Sequence, residues 1–178
     1  MIGFLRVIGM LNAAVWLGGS IFFMVQGWPL FSSPEVKELL GTGNYPYFSG
    51  ALAQFSLAHF FRFQIWCAMI ASVQLLAEWL YLGRPARKAS FSLLALLFAL
   101  ALAGASVVQP RLSQLHATRF AANVPAANRA VADRAFRGWR VVTHAINMIE
   151  IAGLMIYLWR MASPSDTTRF VTSVKFHS

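Results

Sequence analysis

The most unusual feature of this sequence is an acidic residue in the middle of an apolar stretch. Glu150 lies at the centre of residues 141–159, which contain no other Asp, Glu, Lys or Arg and are bounded by Arg140 and Arg160. An ionised side chain at the centre of a bilayer costs at least ~2.5–3.5 kcal/mol. Glu150 therefore requires a partner, a proton or a function.

Side chains on the same helical face supply candidate partners for Glu150. At about 100° per residue, Thr143, Asn147 and Glu150 share one face of a helix, with Arg140 and His144 towards its edge. We interpret Asn147 and Thr143 as hydrogen-bond donors to a proton-sensitive or partner-binding Glu150, with Arg140 and His144 as its gate towards the membrane surface. A buried pair that only holds two helices together explains the same pattern, so both interpretations stay open.

Polar residues in two other apolar stretches predict that Glu150 belongs to a shared polar seam. Asn12 interrupts the first apolar stretch, and Gln74 and Glu78 share a helical face in the second. Such residues commonly form hydrogen bonds between membrane helices, worth at most ~1–2 kcal/mol each. The predicted seam consists of Glu150, Asn147, Thr143, His144, Arg140, Asn12, Gln74 and Glu78.

Composition places the chain among integral membrane proteins. Its 178 residues are 58% hydrophobic and only 12% charged, with a mean hydropathy of +0.58, which is too apolar for a soluble domain. The stretches of membrane-span length are residues 5–26, 56–82, 89–108 and 141–160. We therefore predict an all-α polytopic membrane protein in contact with the lipid bilayer. A single four-transmembrane-helix bundle over residues 1–162 precedes a polar tail, residues 163–178.

The connections between the spans carry recognisable local signals. The first span lacks a small-x-small cleavage site, so we expect a retained helix rather than a cleaved signal peptide. Residues 34–40 predict a short helix with Ser33 as its N-cap. Apolar residues at helical spacing in residues 112–139 predict that the third and fourth helices extend past the membrane and meet near residues 123–127.

The net charge of +9 reflects basic residues that flank the spans, where they meet anionic headgroups and set the topology. We expect no nucleic-acid partner. The short basic loop 83–88 predicts a protein of the cell inner membrane with both termini in the cytoplasm. The loop 111–140 conflicts with this orientation, because five arginines before Arg140 are balanced only by Asp133: they are Arg111, Arg119, Arg129, Arg134 and Arg137.

Two histidines define an alternative, redox function. His59 lies near the start of the second span and His144 near the start of the fourth, and the predicted topology brings both towards the same side. Two neutral imidazoles at matched depth suit axial ligation of a b-type haem. A hydrogen bond of His59 at the headgroup level explains its position equally well.

Copper is a further alternative, because thioethers and imidazoles favour Cu(I). Met148 lies four residues from His144, and other methionines lie in the spans, namely Met10, Met24, Met69 and Met155. No Met-x-x-Met pair occurs, however, and methionine is common in membrane cores. Cys67 is the only cysteine, which excludes an intrachain disulfide and a cysteine metal cage. The first interpretation therefore includes no cofactor, with haem b or copper as the alternative.

The sequence lacks the short motifs of common enzyme classes, including the P-loop, Gly-x-Gly-x-x-Gly, His-Glu-x-x-His and Gly-x-Ser-x-Gly. We therefore do not expect an enzyme. Ala95, Ala99 and Ala103 recur at four-residue intervals in the third span, and small residues let helices approach closely. This stripe predicts a homo-oligomer or membership of a larger membrane complex.

Several short motifs resemble the four-helix family that includes transmembrane protein 205 (domain of unknown function 4149). They are residues 16–23, residues 28–31, residues 107–115 after the third span, and residues 136–144 with Asn147 at the fourth. The resemblance covers about residues 5–160 and implies an integral membrane protein of unassigned role. It also implies a looser similarity to copper-resistance-D and cytochrome-b-like four-helix proteins, for which His144 is the one transferable position. Glu150 departs from the family pattern.

Taken together, these patterns leave three functions open. The first is a transport-related or accessory membrane protein whose polar seam surrounds Glu150. The second is a membrane redox protein that binds haem or copper through His59 and His144. The third is a structural subunit of a larger membrane complex.

Overall fold

The described chain consists almost entirely of helices. The structure, a computed structural model, describes residues 2–41, 43–82 and 88–163. The elements are α1 (Ile2–Ser32), α2 (Pro34–Leu40), α3 (Tyr45–Leu82), α4 (Lys88–Ala103), a π-helical segment (Gly104–Val108), α5 (Gln109–Phe120) and α6 (Ala126–Ala162). These residues contain no strand, and the predicted all-α fold is confirmed. Most of the predicted basic loop 83–88 and polar tail 163–178 lies outside the described residues.

Four helical stretches are long and apolar enough to cross a membrane, which makes this a multi-pass membrane protein: Val7–Gly27, Tyr45–Leu80, Ala89–Phe120 and Ala126–Ala162. The second and fourth begin earlier than the predicted residues 56 and 141. With 38 residues in α3 and 37 in α6, each helix is about 55 Å long, against a hydrocarbon core of about 30 Å. Both helices therefore continue beyond the bilayer.

The long helices run alternately in opposite directions around one centre. Asn12 lies beside Cys67 and Gly19 beside Phe63, so α1 and α3 are antiparallel. Helices α1 and α4 each pack against both α3 and α6, which places α3 and α6 diagonally across the bundle. We call the end that contains α5 and the start of α6 the hairpin end, and the end that contains Ile2 and Ala162 the terminal end.

Two apolar clusters fill the bundle, one towards each end. The terminal-end cluster comprises Ala13, Trp16, Cys67, Ala68, Ala71, Leu94, Leu97, Leu154 and Tyr157. The hairpin-end cluster comprises Leu57, Phe60, Phe61, Val108, Leu112 and Phe136. Along α3 and α6, Gln64 and Glu150 fall between the two clusters, so a polar layer separates two apolar ones.

One acidic residue joins α5 to the first turns of α6. Asp133 Oδ1 lies 2.9 Å from Arg119 Nε on α5, and Asp133 Oδ2 lies 3.0 Å from Arg137 Nη2 on α6. Arg129 Nε donates to the Val124 carbonyl in the intervening turn at 2.8 Å. Ion pairs near a protein surface contribute little free energy. These arginines therefore serve mainly to position the hairpin.

Two local predictions are confirmed at this end of the bundle. Helix α5 ends at Phe120 and α6 begins at Ala126, so the turn lies near residues 123–127 as predicted. Ser33 caps α2, because its Oγ accepts a hydrogen bond from the Val36 N–H at 3.5 Å.

The third span contains an irregular turn that the sequence pattern did not predict. Between α4 and α5 the chain forms the π-helical segment, in which Phe61 occupies the space that a side chain at Gly104 would need. Pro110 follows immediately and has no N–H to donate to the preceding turn. A wider turn here accommodates the missing hydrogen bond.

The small-residue stripe of the third span faces outwards. Ala95, Ala99 and Ala103 are all exposed on α4, whereas Leu94, Leu97 and Ala101 of the same helix are buried. The stripe thus plays no part in packing this bundle. Its predicted role between chains stays a prediction.

A glycine pair on α1 offers a test of the packing. The Cβ of alanine at Gly19 would lie 2.5 Å from the Phe63 ring, whereas nothing lies within 4 Å of one at Gly18. We expect Gly19→Ala to lower the melting temperature of the detergent-purified protein. Gly18→Ala serves as the control and should leave it unchanged or raise it slightly, since alanine favours helix over glycine. Equal effects of the two variants would contradict this helix pairing.

Candidate functional site

The side chain of Glu150 faces the centre of the bundle. Glu150 and Gln64 are both 0% exposed, and Gln64 Nε2 donates a hydrogen bond to Glu150 Oε2. Because Gln64 belongs to α3 and Glu150 to α6, this bond crosses the diagonal of the bundle. The carboxyl group is therefore enclosed by protein rather than by lipid.

The partners of Asn147 and Thr143 differ from those predicted. Asn147 Nδ2 donates to the Ser20 carbonyl of α1 at 3.3 Å, and Thr143 Oγ1 donates to the Trp139 carbonyl of its own helix at 2.9 Å. Their role as donors to Glu150 is therefore a wrong prediction. The physical reason is that both donors are used by backbone carbonyls, which leaves the carboxyl group to the amide of Gln64.

Several buried polar atoms around Glu150 have no hydrogen-bond partner. The oxygens are Glu150 Oε1, Gln64 Oε1 and Asn147 Oδ1, and the nitrogen is Trp16 Nε1. Asn147 contacts Ser20, which fixes the level of α6 relative to α1. One turn towards the terminal end from this contact lie Trp16 on α1 and Glu150 on α6, so Trp16 and Glu150 lie at a similar depth in the bundle. The layer thus holds three unpartnered oxygens and one unpartnered N–H, and a proton on Glu150 would add a donor.

Within the described ranges, both ion pairs lie in the hairpin and neither includes Glu150. Asp133 takes part in both of them. The described residues therefore contain no ion pair between Glu150 and an arginine, which was one interpretation of its position. Its bonded partner is an uncharged amide.

The seam continues towards the terminal end through α1 and α3. Asn12 Nδ2 donates to the Cys67 carbonyl at 2.9 Å, and Gln74 Nε2 donates to Glu78 Oε1 at 2.8 Å. Gln74 fills the space beside Gly9. The structure thus places these predicted seam residues inside the bundle, although Asn12 and Gln74 bond to other partners than Glu150.

Arg140, Thr143 and His144 line a small cavity towards the hairpin end. The cavity has a volume of about 50 Å³ and is also lined by Gln54 of α3. His144 is six residues from Glu150, which corresponds to about 9 Å along the helix axis. These residues therefore lie between Glu150 and the hairpin end, and their role as a gate stays a prediction.

The structure does not bring the two proposed haem ligands together. His59 is exposed on α3, where its Nδ1 is 2.9 Å from the Phe55 carbonyl and its ring is tilted by 44° against that of Phe55. His144 instead lines the interior cavity. The predicted encounter across the bundle is thus wrong, because His59 lies on the outward face of its helix.

The proposed copper ligands are also dispersed. Met148 and Met155 are more than half exposed on the outer face of α6, away from the buried seam. Among the described residues, no group of three or more His, Cys, Asp or Glu side chains is placed to hold a metal ion.

Two site residues escaped the sequence reasoning. Gln64 lies three residues before Cys67, on the helical stripe that leads to Gln74, so extending that stripe by one turn would have identified it. His116 is buried at 5% exposure against Phe136 and Tyr47, and Gly50 makes room for its ring. The sequence shows that His116 lies at helical spacing from Leu112, but it does not show that His116 contacts Tyr47 at the start of α3.

Comparison of the chain with protein-family models, with curated proteins and with solved structures finds no match.

The Gln64–Glu150 bond predicts a pH-dependent stability difference. Gln64→Leu removes the donor of Glu150, and an unsatisfied buried acceptor costs about 1–3 kcal/mol, more when it is charged. We expect the variant to melt at lower temperature than the wild type, with a larger difference at pH 8 than at pH 5, because the ionised carboxylate depends more on its donor. Thermal unfolding in detergent at both pH values measures this difference.

In a Glu150→Gln background, Gln64→Leu should lose this pH dependence. A pH dependence that persists without the carboxyl group would contradict the assignment to Glu150.

Proposed function

We propose that this multi-pass membrane protein binds and releases a proton at Glu150 as part of a transport-related activity. One observation carries the proposal: Glu150 is 0% exposed at the centre of the bundle, and its bonded partner is the amide of Gln64. A carboxyl group buried without a cation is far less costly as the neutral acid than as the anion. The group is suited to hold a proton within the membrane and to lose it when water reaches it.

Holding α3 and α6 together does not require an acid. Two amides would form the same bond without a group that ionises, and hydrogen bonds between membrane helices contribute only about 0.6–1.7 kcal/mol. Glu150 also keeps a buried oxygen, Oε1, without a partner.

Gln64 is able to accompany both protonation states of Glu150. Its Nε2 donates to the carboxyl group as observed, and its Oε1 is a buried acceptor without a partner. After rotation of the amide, that oxygen accepts a hydrogen bond from the protonated acid. Deprotonation of Glu150 transfers one proton from its carboxyl group to a water molecule, and protonation is the reverse. Neither breaks any other covalent bond.

We retain the cell inner membrane and cytoplasmic termini as proposals. The loop arginines that oppose this orientation include Arg119 and Arg137, which share Asp133, and Arg129, which binds the turn. These structural roles account for part of the positive charge at the hairpin end. Membership of the transmembrane protein 205-like family is likewise a proposal, supported by the quoted motifs and by the four-span fold that the resemblance implies.

A role as subunit of a larger complex, or as a homo-oligomer, is the second proposal. Its support is the outward position of Ala95, Ala99 and Ala103 on α4. Small residues on a lipid-facing stripe allow another helix to approach closely. Such an assembly is compatible with a proton site inside each bundle.

The central prediction concerns Glu150→Gln. The variant keeps the size and hydrogen-bonding capacity of the side chain but cannot ionise, so we expect a folded protein that no longer takes up or moves protons. Infrared difference spectroscopy between pH 5 and pH 9 should show a carboxylic-acid band in the wild type that the variant lacks. Proteoliposomes with an enclosed pH dye should show wild-type proton movement under a membrane potential and none for the variant.

Glu38→Gln is the matched control, since Glu38 is an exposed carboxylate outside the spans and outside the seam. It should retain both signals. A Glu150→Gln protein with wild-type proton movement would overturn the proposal.

The orientation has its own test. In a Cys67→Ala background, a cysteine at the exposed Arg134 of the hairpin should react with a membrane-impermeant maleimide added outside spheroplasts. A cysteine at Arg160, at the terminal end, should react only after lysis. The reverse pattern would place the termini outside.

A further inference from the structure

An arginine lies on the outward face of α3 at mid-membrane depth. Phe63 packs against Gly19 of α1, and Gly19 is about 3 Å along the helix from the midpoint of the span Val7–Gly27. Arg62 directly precedes Phe63 and is exposed, whereas Gln64 in the same turn is buried. The backbone of Arg62 is therefore near the centre of the bilayer, and its side chain lies on the outside of the bundle.

The contact between α3 and α6 gives the same depth for Arg62. Gln64 bonds to Glu150, which is the middle residue of the apolar stretch of α6. Towards the hairpin end, Gln54 lines the same small cavity as Arg140, which bounds that stretch. Arg62 is about 12 Å along α3 from Gln54. An extended arginine side chain covers only part of that distance, so snorkelling alone does not bring the guanidinium to the headgroups.

The described part of the chain provides no partner for this cation. Its two ion pairs join Asp133 to Arg119 and Arg137, and its cation–aromatic contacts also involve Arg119. Charged side chains within membrane spans are costly, and they almost always pair with another group or face the interior of a bundle. Arg62 does neither within this bundle, so its partner comes from outside.

A second copy of the chain does not supply this partner. The six acidic residues of the chain are Glu35, Glu38, Glu78, Asp133, Glu150 and Asp166. Of those that the structure describes, Glu150 alone lies at the depth of Arg62, and it is 0% exposed. Glu78 is about 24 Å along α3 from Arg62. Two copies packed through this face would bring two arginines together instead.

The face around Arg62 is otherwise mostly apolar and forms one continuous stripe. Its exposed residues recur at intervals of three or four, which is the spacing of one side of a helix: Phe55, His59, Arg62, Trp66, Ile70 and Val73. The stripe is about 27 Å long, close to the thickness of the hydrocarbon core. His59 lies one turn from Arg62, and the two form a single polar patch between the rings of Phe55 and Trp66.

We propose that this stripe of α3 binds a transmembrane helix of another protein that carries an aspartate or glutamate at the middle of its span. A carboxylate and a guanidinium form paired, charge-assisted hydrogen bonds. Their association removes two charges that are each unfavourable in lipid. The proposal goes beyond the proton site, and it depends neither on Glu150 nor on the alanine stripe of α4.

The test uses the full chain in phosphatidylcholine vesicles, with synthetic transmembrane peptides as probes. The peptides are leucine–alanine helices of about 20 residues, identical except for a central glutamate or leucine. Energy transfer from a dye on a Cys67→Ala, Arg134→Cys protein to a dye on the peptide measures binding against the peptide-to-lipid ratio. We expect the glutamate peptide to bind about tenfold more tightly than the leucine peptide, because polar bonds between membrane helices are of this strength.

Arg62→Leu should remove the preference for the glutamate peptide. This variant places an apolar side chain on the lipid-facing surface, so we expect it to fold, and Arg62→Gln provides a second variant if it does not. Arg111→Leu is the matched control, because Arg111 is an exposed arginine of the adjacent helix α5 and lies outside the stripe. It should keep the preference. Equal binding of the two peptides to the wild type would overturn the proposal, and so would a preference that persists without Arg62.

A second measurement identifies the partner in native cells. A photo-reactive amino acid at position Trp66 should form adducts with a membrane protein whose span contains a central aspartate or glutamate, and Arg62→Leu should abolish those adducts. Adducts with lipid alone, or only with a second copy of this chain, would overturn the proposal. Proton movement in proteoliposomes does not enter either measurement, so the proposed function and this partner stand or fall separately.

Discussion

Lipid chains offer no hydrogen bonds to a polar group inside a bilayer, and this constraint organises the bundle around Glu150. The carboxyl group lies where lipid cannot reach it, and its partner comes from the diagonally opposite helix. A bond across the diagonal requires α3 and α6 to keep a fixed spacing. The helices between them, α1 and α4, set that spacing through the small and apolar side chains of the two clusters.

The polar interior is divided into regions of opposite character. Around Glu150 the unpartnered atoms are mostly oxygens, whereas the cavity one to two turns away presents an arginine, a histidine and an unpartnered amide N–H.

The sequence was sufficient for the class of fold because that information is carried by long apolar stretches, which depend little on tertiary contacts. It also located Glu150, since a mid-span carboxylate stands out in any apolar helix. Its partner was harder to identify. Gln64 lies two residues from Arg62, in a region that contains both polar and apolar residues. Only the packing of α3 against α1 and α4 shows which face of that region is buried.

The histidines show the same limit. The sequence gives the depth of His59 along its helix but not the rotation of that helix, and the rotation turns the imidazole outwards. Helix α3 also begins at Tyr45, before the predicted residue 56, because a proline such as Pro46 more often indicates a turn than a helix. Proline is well tolerated in the first turn of a helix, where its missing N–H would have had no partner.

The π-helical segment gives the third span two different rotational phases. Buried residues in this region recur at intervals of four, at Gly104, Val108, Leu112 and His116. In a regular helix of 3.6 residues per turn, residues four apart are rotated about the helix axis by about 40° relative to each other. The wider turn absorbs part of that rotation. As a result, the third span lies at the lipid boundary along α4 and packs inside the hairpin along α5. A π-helical turn closes its hydrogen bond over one residue more than an α-helical turn does. The loss of one residue from this segment would therefore be taken up by conversion to a regular α-helical turn, and α5 would keep its orientation relative to α4.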